Sequence, residues 1–355
     1  MANQPLNILI VGPSWVGDMV MAQSLFKVLK RLYPLSQIDV LAPAWSRPIL
    51  QAMPEVRSPI DMPVGHGKLM LSARKALANH LREAGYDWAI ILPNSLKSAL
   101  IPWLAKIPKR TGWKGEMRYG LLNDLRKLDK QAMPLMVERF VALAYPKGQA
   151  DLINIPNPSL SVPEANLEQV KSKFSIGTIG YVLGLCPGAE FGAAKQWPAE
   201  HYAEVAKWCL RSGGEVWLFG SENDRKVCEQ ISGELSISGG GVRDFSGQTS
   251  LQEAVALLSL TTQVVSNDSG LMHVAAALGR SLVAVYGSTS PEFTPPLTDH
   301  AKLVRTGIDC SPCFERTCPY GHYKCLKDLS PELVIGALEA LPGQPEIAEN
   351  SLIKE

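Results

Sequence analysis

The sequence has almost no net charge, which excludes a nucleic-acid binder that depends on an overall basic surface. Its 35 lysines and arginines nearly balance its 34 aspartates and glutamates, and the formal charge is +1. It also lacks an unbroken apolar run of about 18 residues, the length that crosses a bilayer, because Arg280 interrupts the longest candidate. The apolar run at 6–12 has no basic stretch before it and enters a glycine loop, so it predicts a first strand and not a signal peptide. We therefore expect no membrane-spanning segment and no nucleic-acid partner.

The composition that remains is that of a globular protein large enough for two domains. The chain has 355 residues, of which 46% are hydrophobic, and single domains contain about 100 to 200 residues. Pro, Asn and Ser are concentrated at 154–166, between two periodic regions, as is typical of a linker. We place an N-terminal domain at 1–165, a C-terminal domain at 166–341 and a flexible tail at 342–355.

A repeated order of β-branched run, glycine turn and amphipathic segment predicts parallel α/β units in both halves. In the first half we predict strands at 6–12, 37–43 and 87–94, with a helix at 19–32. The second half restarts with a strand at 181–188 and continues as a doubly wound sheet of its own.

The loop after the first strand is the first candidate for chemistry. It reads GPSWVGD and ends in Asp18, at the predicted start of a helix. In doubly wound sheets the loops beyond the carboxyl ends of the strands form the ligand cleft, so Asp18 is placed to face it. The alternative is that Asp18 only caps the helix.

A second candidate is the small-residue loop at 186–198, which reads CPGAEFGAAKQWP. Such a loop allows backbone N–H groups to approach a phosphate, and Lys195 adds a positive charge. It lacks the spacing of a Walker loop, so nucleoside-triphosphate hydrolysis is not favoured. The alternative for Lys195 is an ordinary solvent-facing lysine.

The strongest local signal is SNDSGLMHVAAALG at 266–279, where a buried strand turns into a helix of small residues. The unpaired N–H groups of the turn and the positive end of the helix predict an anion site around Asp268, Ser269 and Gly270. His273 lies one turn into the helix. It either contacts the substrate or only braces the loop.

Two further features are a basic segment and a cysteine cluster. Between residues 97 and 130 nine basic side chains face three acidic ones, which indicates either a polyanionic partner or a solvated helical surface; the basic residues are Lys97, Lys106, Lys109, Arg110, Lys114, Arg118, Arg126, Lys127 and Lys130. Near the C-terminus Cys310, Cys313, Cys318 and Cys325 have the spacing C-x2-C-x4-C-x6-C, with His322 among them. In a reduced compartment this spacing fits a structural zinc site or free thiols better than disulfides.

Taken together, the motifs resemble glycosyltransferase family 9, the lipopolysaccharide heptosyltransferases. The resemblance covers nearly the whole chain and rests on WVGD, GAEFGAAKQWP, the FGS at 219–221, NDSGLMHVAAALG and VYGSTSPEFTPP. The first half is most similar to the members that add the second heptose of the inner core; the segments are GPSWVGDMVMAQSLFKVLK, DVLAPAWSRPIL, LPNSLKSALIPWLAKIPKRTGWKGEMRYGLLND and MPLMVERFVALA.

The resemblance implies the GT-B fold, with two Rossmann-like doubly wound domains facing across a cleft. It also implies that the N-terminal domain binds the acceptor and the C-terminal domain binds the nucleotide-sugar. The implied donor is ADP-heptose and the implied acceptor is heptosyl-Kdo2-lipid A, a polyanion that would account for the basic segment. We expect no cofactor, a cytoplasmic location in a Gram-negative bacterium, and transient contact with the inner face of the inner membrane.

The implied reaction inverts the anomeric centre, so it needs a base for the acceptor hydroxyl and stabilisation of the departing diphosphate. The resemblance assigns these catalytic roles to Asp18 and Lys195. It assigns donor binding to Gly188, Ala189, Glu190, Ser221, Asp268, Ser269, Gly270 and His273. It assigns acceptor binding to Gly17, Lys97, Arg110, Lys114 and Arg118. No metal is needed in this arrangement, because the lysine and the helix end supply positive charge.

Four alternatives stay open at this point. A transferase of the same family that fills another heptose position has the same phosphate motifs. A nucleotide-sugar epimerase can share the fold but needs no acceptor. A Rossmann dehydrogenase requires GxGxxG after the first strand, where this chain has GPSWVG. A non-enzymatic binding module would not require both Asp18 and Lys195.

Overall fold

The structure is a computed structural model that describes residues 5–63, 70–235 and 241–343. The chain divides into two compact units, Met1–Ser161 and Val162–Glu355, and the division falls inside the stretch rich in Pro, Asn and Ser. Most of the tail predicted at 342–355 lies outside the described residues. No helix within the described ranges combines the length and apolar character needed to cross a bilayer.

The first unit is a parallel six-stranded sheet with helices between the strands. Its elements are β1 (Asn7–Val11), α1 (Val16–Leu32), β2 (Gln37–Ala42), α2 (Arg47–Gln51), β3 (Val56–Asp61), α3 (Leu71–Glu83), β4 (Trp88–Ile91), α4 (Leu96–Leu104), β5 (Lys109–Trp113), β6 (Asp124–Arg126) and α5 (Met136–Val141). The strand order is β3-β2-β1-β4-β5-β6. Val11 pairs with Leu41 and Ile91, so these strands end level with one another and their following loops share one edge of the sheet.

The second unit repeats the same plan. Its elements are α6 (Glu164–Lys173), β7 (Val182–Cys186), α7 (Ala199–Arg211), β8 (Glu215–Leu218), α8 (Arg225–Leu235), β9 (Val242–Asp244), α9 (Leu251–Ser259), β10 (Gln263–Asn267), α10 (Gly270–Ala277), β11 (Ser281–Val285), β12 (Ala301–Val304), α11 (Lys324–Lys327) and α12 (Pro331–Glu339). The order β12-β11-β10-β7-β8-β9 places the first and fourth strands of the unit side by side, as in the first sheet. Both sheets therefore have the strand order of a Rossmann fold.

The central strands are apolar because helices cover both faces of a parallel sheet. All five residues of β7, β10 and β11 are buried, and so are four of the five in β1. Burial along the whole strand explains why these segments show continuous apolar runs instead of alternation. The doubly wound α/β prediction for both halves is confirmed.

Candidate active site

Each sheet has one position where the strand order reverses, and there the loops after two adjacent strands separate to leave a crevice. In the first sheet this position lies between β1 and β4, and in the second between β7 and β10. Asp18 follows β1, Lys195 follows β7 and Asp268 follows β10. The topology therefore places them at two crevices, one in each unit.

In the second unit an ion pair joins the two loops that border the crevice. The Nζ of Lys195, which follows β7, lies 2.7 Å from Oδ2 of Asp268, which follows β10. The same Asp268 oxygen accepts a hydrogen bond from the hydroxyl of Thr289 at 2.5 Å. Only 13% of the Lys195 side chain and 4% of the Asp268 side chain are exposed. Lys195 is thus held inside the crevice and is not an ordinary solvent-facing lysine.

The buried side-chain amide of Asn267 links the same two loops through further hydrogen bonds. The Nδ2 of Asn267 donates to the carbonyl of Pro187 at 2.6 Å. Its Oδ1 accepts from the backbone N–H of Trp197 at 3.1 Å and from the hydroxyl of Tyr202 at 3.0 Å. The end of β10 is therefore tied to the loop after β7 and to the start of α7. Sequence analysis did not single out Asn267 or Thr289, although both lie in motifs that it quoted.

The start of α10 supplies N–H groups next to this ion pair. Ser269 is the N-cap residue, yet its side chain makes no capping hydrogen bond to the helix. Its Oγ lies 3.2 Å from the Oγ of Ser266 instead. The first N–H groups of α10 and its positive end have the character of an anion site. Lys195 is close by, because its Nζ also lies 3.3 Å from the backbone oxygen of Asp268.

His273 is buried and uncharged at neutral pH. The pKa of His273 is lowered to about 4, chiefly by burial; the charge of Asp268 opposes the shift and that of Lys195 contributes to it. Its side chain is 5% exposed. The anion site therefore gains no charge from this histidine near pH 7.

The remaining residues predicted for donor binding lie in loops at the same edge. Gly188 follows β7, and a Cβ added there would lie 2.5 Å from Cγ of Asp224, so only glycine fits this approach. Ser221 follows β8, and its backbone N–H and its hydroxyl both donate to Asp224 Oδ2, at 2.8 and 2.7 Å. Ala189 is buried and Glu190 is exposed. Each of these loops is thus fixed by contacts within the protein.

In the first unit Asp18 lies in the first turn of α1. The N-cap residue of this helix is Trp15, so the alternative that Asp18 is the N-cap is wrong. Asp18 is half-buried and the neighbouring Gly17 is buried. A carboxylate in the first turn is stabilised by the positive end of the helix. Asp18 follows β1, one of the two strands that border the crevice of the first sheet.

The two arginines predicted for acceptor binding both donate to backbone carbonyls. Arg118 is fully buried, and its guanidinium donates to the carbonyls of Pro93, at 2.7 Å, and of Trp113. It therefore cannot contact a polyanion at the surface, and its assignment to the acceptor is corrected. Arg110 donates to the carbonyls of Leu121 and Ile107, at 2.7 and 2.5 Å. Both guanidinium groups satisfy carbonyls of loops that helices and strands leave unpaired.

The lysines of the basic segment do not form one patch. Lys97 is in the first turn of α4 and Lys114 follows β5, so both lie at the carboxyl edge of the first sheet. Lys114 is exposed, with its Nζ 5.6 Å from the centre of the Tyr119 ring. Lys106 precedes β5 and Lys109 is its first residue, so both lie at the opposite, amino edge of the sheet. Only part of the predicted basic surface therefore borders the crevice that contains Asp18.

Sequence analysis missed two exposed tryptophans at this carboxyl edge. Trp15 and Trp45 follow β1 and β2, four residues after the paired residues Val11 and Leu41. They are 46% and 40% exposed, whereas most tryptophan side chains are largely buried. The quoted segments WVGD and DVLAPAWSRPIL contain both residues, but nothing in the sequence marked them as exposed.

The cysteine cluster contains free thiols. All seven cysteines of the chain lack a disulfide partner. Within 5–63, 70–235 and 241–343 no group of three or more His, Cys, Asp or Glu side chains is arranged to hold a metal ion. The zinc hypothesis for Cys310, Cys313, Cys318 and Cys325 therefore stays a prediction.

Comparisons with known proteins agree on one family. The family model for glycosyltransferase family 9 (heptosyltransferase) matches residues 74–324. Lipopolysaccharide heptosyltransferase 2 of Salmonella typhimurium is 50% identical over 342 residues, which cover 95% of this chain and 98% of the relative. Lipooligosaccharide heptosyltransferase 2 of Haemophilus influenzae is 48% identical, with 95% and 99% covered. The crystal structure of E. coli ADP-heptose LPS heptosyltransferase II matches with a TM-score of 0.85 and 47% identity, covering 94% of this chain and 98% of that one.

Proposed function

The chain belongs to glycosyltransferase family 9, and from this membership we propose that it transfers heptose from ADP-heptose to the first heptose of the lipopolysaccharide inner core. It is a heptosyltransferase with the fold class of the GT-B enzymes. A nucleotide-sugar donor and a lipopolysaccharide acceptor follow from that activity. The enzyme that adds the second heptose is favoured over other members of the family, because the relatives of that name are about half identical over nearly their full length.

One observation carries the assignment of the donor site. The Lys195–Asp268 ion pair bridges the crevice of the second sheet beside the start of α10. A diphosphate placed there meets the N–H groups of Ser269 and Gly270 and the ammonium of Lys195. Negative charge grows on the diphosphate as the sugar leaves, and fixed positive groups at that point stabilise the transition state more than the ground state.

The acceptor belongs to the first unit in this proposal. Asp18 borders the crevice between β1 and β4 and acts as the base that accepts the proton of the attacking hydroxyl. A carboxylate is a weak base, but proton transfer late in the reaction is sufficient when the transition state resembles an oxocarbenium ion. Gly17, Lys97 and Lys114 share this edge, and the positive charges of the two lysines suit an anionic oligosaccharide. These placements support the proposed domain roles, the N-terminal unit for the acceptor and the C-terminal unit for the donor.

We also place the reaction at the inner face of the inner membrane, because the acceptor is a lipid. Lys114 and Lys127 follow β5 and β6 and are exposed. Each lysine near an anionic surface contributes about 1 kcal/mol of attraction. The contact is therefore expected to be peripheral and sensitive to salt.

The test is product analysis with purified protein and defined substrates. With ADP-heptose and heptosyl-Kdo2-lipid A, mass spectrometry should show one added heptose. Kdo2-lipid A without heptose should not react, which separates this activity from that of the enzyme adding the first heptose. Conversion of ADP-heptose to an isomer without acceptor, or reaction only with Kdo2-lipid A, would contradict the proposal.

A further inference from the structure

The donor site described above is short of positive charge. The charge of Lys195 is offset by Asp268, at 2.7 Å, and the pKa of about 4 leaves His273 uncharged near pH 7. Glu190 in the same loop adds a negative charge. The start of α10 contributes roughly half a positive charge, whereas the diphosphate of a nucleotide-sugar carries about two negative ones. A further cation is needed to hold this group.

The geometry points to Arg316 as that second phosphate-binding cation, an inference that rests on the proposed function. Arg316 and Lys195 contact the same aromatic ring. The Nζ of Lys195 lies 4.9 Å from the centre of the Phe191 ring, and the guanidinium carbon of Arg316 lies 5.2 Å from it. Arg316 thus places a second positive charge beside that of Lys195, and unlike Lys195 it has no carboxylate partner among the described residues.

The backbone holds Arg316 against the loop that carries Lys195. The carbonyl of Arg316 accepts a hydrogen bond from the N–H of Ala194 at 3.1 Å. Gly192 passes so close that an added Cβ would lie 2.5 Å from this carbonyl oxygen, and its φ is +148°. Only glycine fits this position without strain. The chain path therefore fixes the backbone of Arg316 beside the loop that carries Lys195.

This placement gives the cysteine-rich segment a role in the donor site. Arg316 stands between Cys313 and Cys318. Upstream of it, the hydroxyl of Ser311 donates to the carbonyl of Gly287 at 2.6 Å, and the N–H of Phe314 donates to the carbonyl of Ser288 at 2.7 Å. Gly287 and Ser288 follow β11, immediately before Thr289. The segment is thus attached to the loop that carries Lys195 and to the loop that carries Thr289, the hydrogen-bond partner of Asp268.

The Arg316 side chain is available for a ligand. It is exposed and forms no ion pair with a carboxylate of the described residues. A guanidinium presents several N–H donors in a plane and binds phosphate oxygens in pairs, which an ammonium does not do. Arg316 therefore suits the diphosphate, while the adenosine and heptose parts of the donor do not require it.

Calorimetric titration of the full-length protein with ADP, AMP and adenosine tests the inference. Arg316→Gln should weaken ADP binding about ten- to a hundredfold, the loss expected for hydrogen bonds to a charged group, and should leave adenosine binding unchanged. Arg316→Lys should recover part of the loss. Arg211→Gln is the matched control, because Arg211 is also exposed but ends α7 at the opposite edge of the sheet. Unchanged ADP binding by Arg316→Gln, or an equal loss for adenosine, would overturn the inference.

The outcome is separable from that of the proposed function. A wild-type protein that does not bind ADP and does not transfer heptose contradicts the proposed function. A wild-type protein that does both, with an Arg316→Gln variant that binds ADP equally well, contradicts only the role of Arg316. Thermal unfolding of each variant checks that the fold is retained.

Discussion

The two sheets share one strand order, but their carboxyl edges are organised differently. At the second edge the functional groups are paired with one another: Lys195 with Asp268, Asp268 with Thr289, and Asn267 with the loops on either side. At the first edge Trp15, Trp45 and Lys114 are exposed in the loops after the strands, while the arginines donate to backbone carbonyls.

The difference suits two kinds of ligand. A leaving group of fixed size and growing charge is stabilised best by dipoles and charges that are held in place before it binds. An anionic oligosaccharide attached to a lipid is large and binds over an open surface, where long-range charge attraction matters more than rigid geometry. The same topology thus carries a fixed electrostatic site in one unit and an open surface in the other.

The largest effect is expected at Asp18, which we propose as the catalytic base at the first edge. Asp18→Asn removes the base and should lower kcat by about 10² to 10⁴, with donor binding unchanged. Steady-state assays with both substrates measure this. Asp61→Asn is the control, since Asp61 ends β3 at the same edge and pairs with Arg47 at 2.8 Å. Near-normal turnover by a folded Asp18→Asn protein would leave the first edge without a base.

Substitution of Lys195 should have the next largest effect on kcat. It also tests whether Lys195 and Asp268 at the second edge depend on each other. Lys195→Met should lower kcat by about 10² to 10³ and change the affinity for donor less, because charge on the diphosphate grows in the transition state. It also leaves Asp268 buried without its cation, which should cost a few kcal/mol of unfolding free energy.

The double variant Lys195→Met/Asp268→Asn separates these two consequences. It removes both charges, so urea unfolding should show stability returning toward that of the wild type while kcat stays low. A raised donor KM with unchanged kcat in Lys195→Met would mean that the lysine only binds ground-state phosphate. Recovery of activity in the double variant would mean that the ion pair serves the fold alone.

His273 should make the second edge sensitive to acid. Its folded pKa of about 4 lies below the value of about 6.5 for an unfolded histidine, so the unfolded chain binds a proton that the folded one does not. This stability is fully present above pH 6.5 and is lost as the pH falls toward 4, by up to about 3 kcal/mol. Urea unfolding across this range should show a shallower pH dependence for His273→Gln. The exposed His80 of α3 provides the control, and equal slopes for wild type and His273→Gln would contradict the prediction.

The sequence predicted the second edge better than the first, for a physical reason. Loops and turns of small residues are visible in a sequence, so NDSG and the loop at 186–198 were singled out, and the structure brings Asp268 and Lys195 of these segments together. The strands β1, β2, β4 and β7 were also predicted, because burial on both faces leaves continuous apolar runs.

The first edge was harder to predict because burial, not residue type, decides what its side chains do. Arg118 and Lys114 are four residues apart and both basic, yet Arg118 is fully buried and Lys114 is exposed. Strands β3, β5 and β6 were missed, since they lie toward the sides of the sheet and are partly exposed and polar. At the second edge only Thr289, among the side-chain partners of Asp268, was missed, because folding brings it to Asp268 across 21 positions.

The smallest effect is expected for the exposed lysines. Their effect on the acceptor KM distinguishes the carboxyl edge of the first sheet from its amino edge. The double variant Lys114→Glu/Lys127→Glu reverses two charges that follow β5 and β6 and should raise the KM for the lipid acceptor several-fold, with ADP binding unchanged. Added salt should weaken the difference, because screening acts over roughly 8 Å at physiological ionic strength. Lys106→Glu is the matched control, since Lys106 is exposed at the amino edge, and its acceptor KM should stay near that of the wild type. If Lys106→Glu raises the acceptor KM as the double variant does, the positive charge acts as a diffuse attraction to the membrane. It then does not act through the edge that contains Asp18. If none does and salt has no effect, the basic segment is a solvated surface, and the openness of the first edge must serve the sugar rings of the acceptor and not its charge.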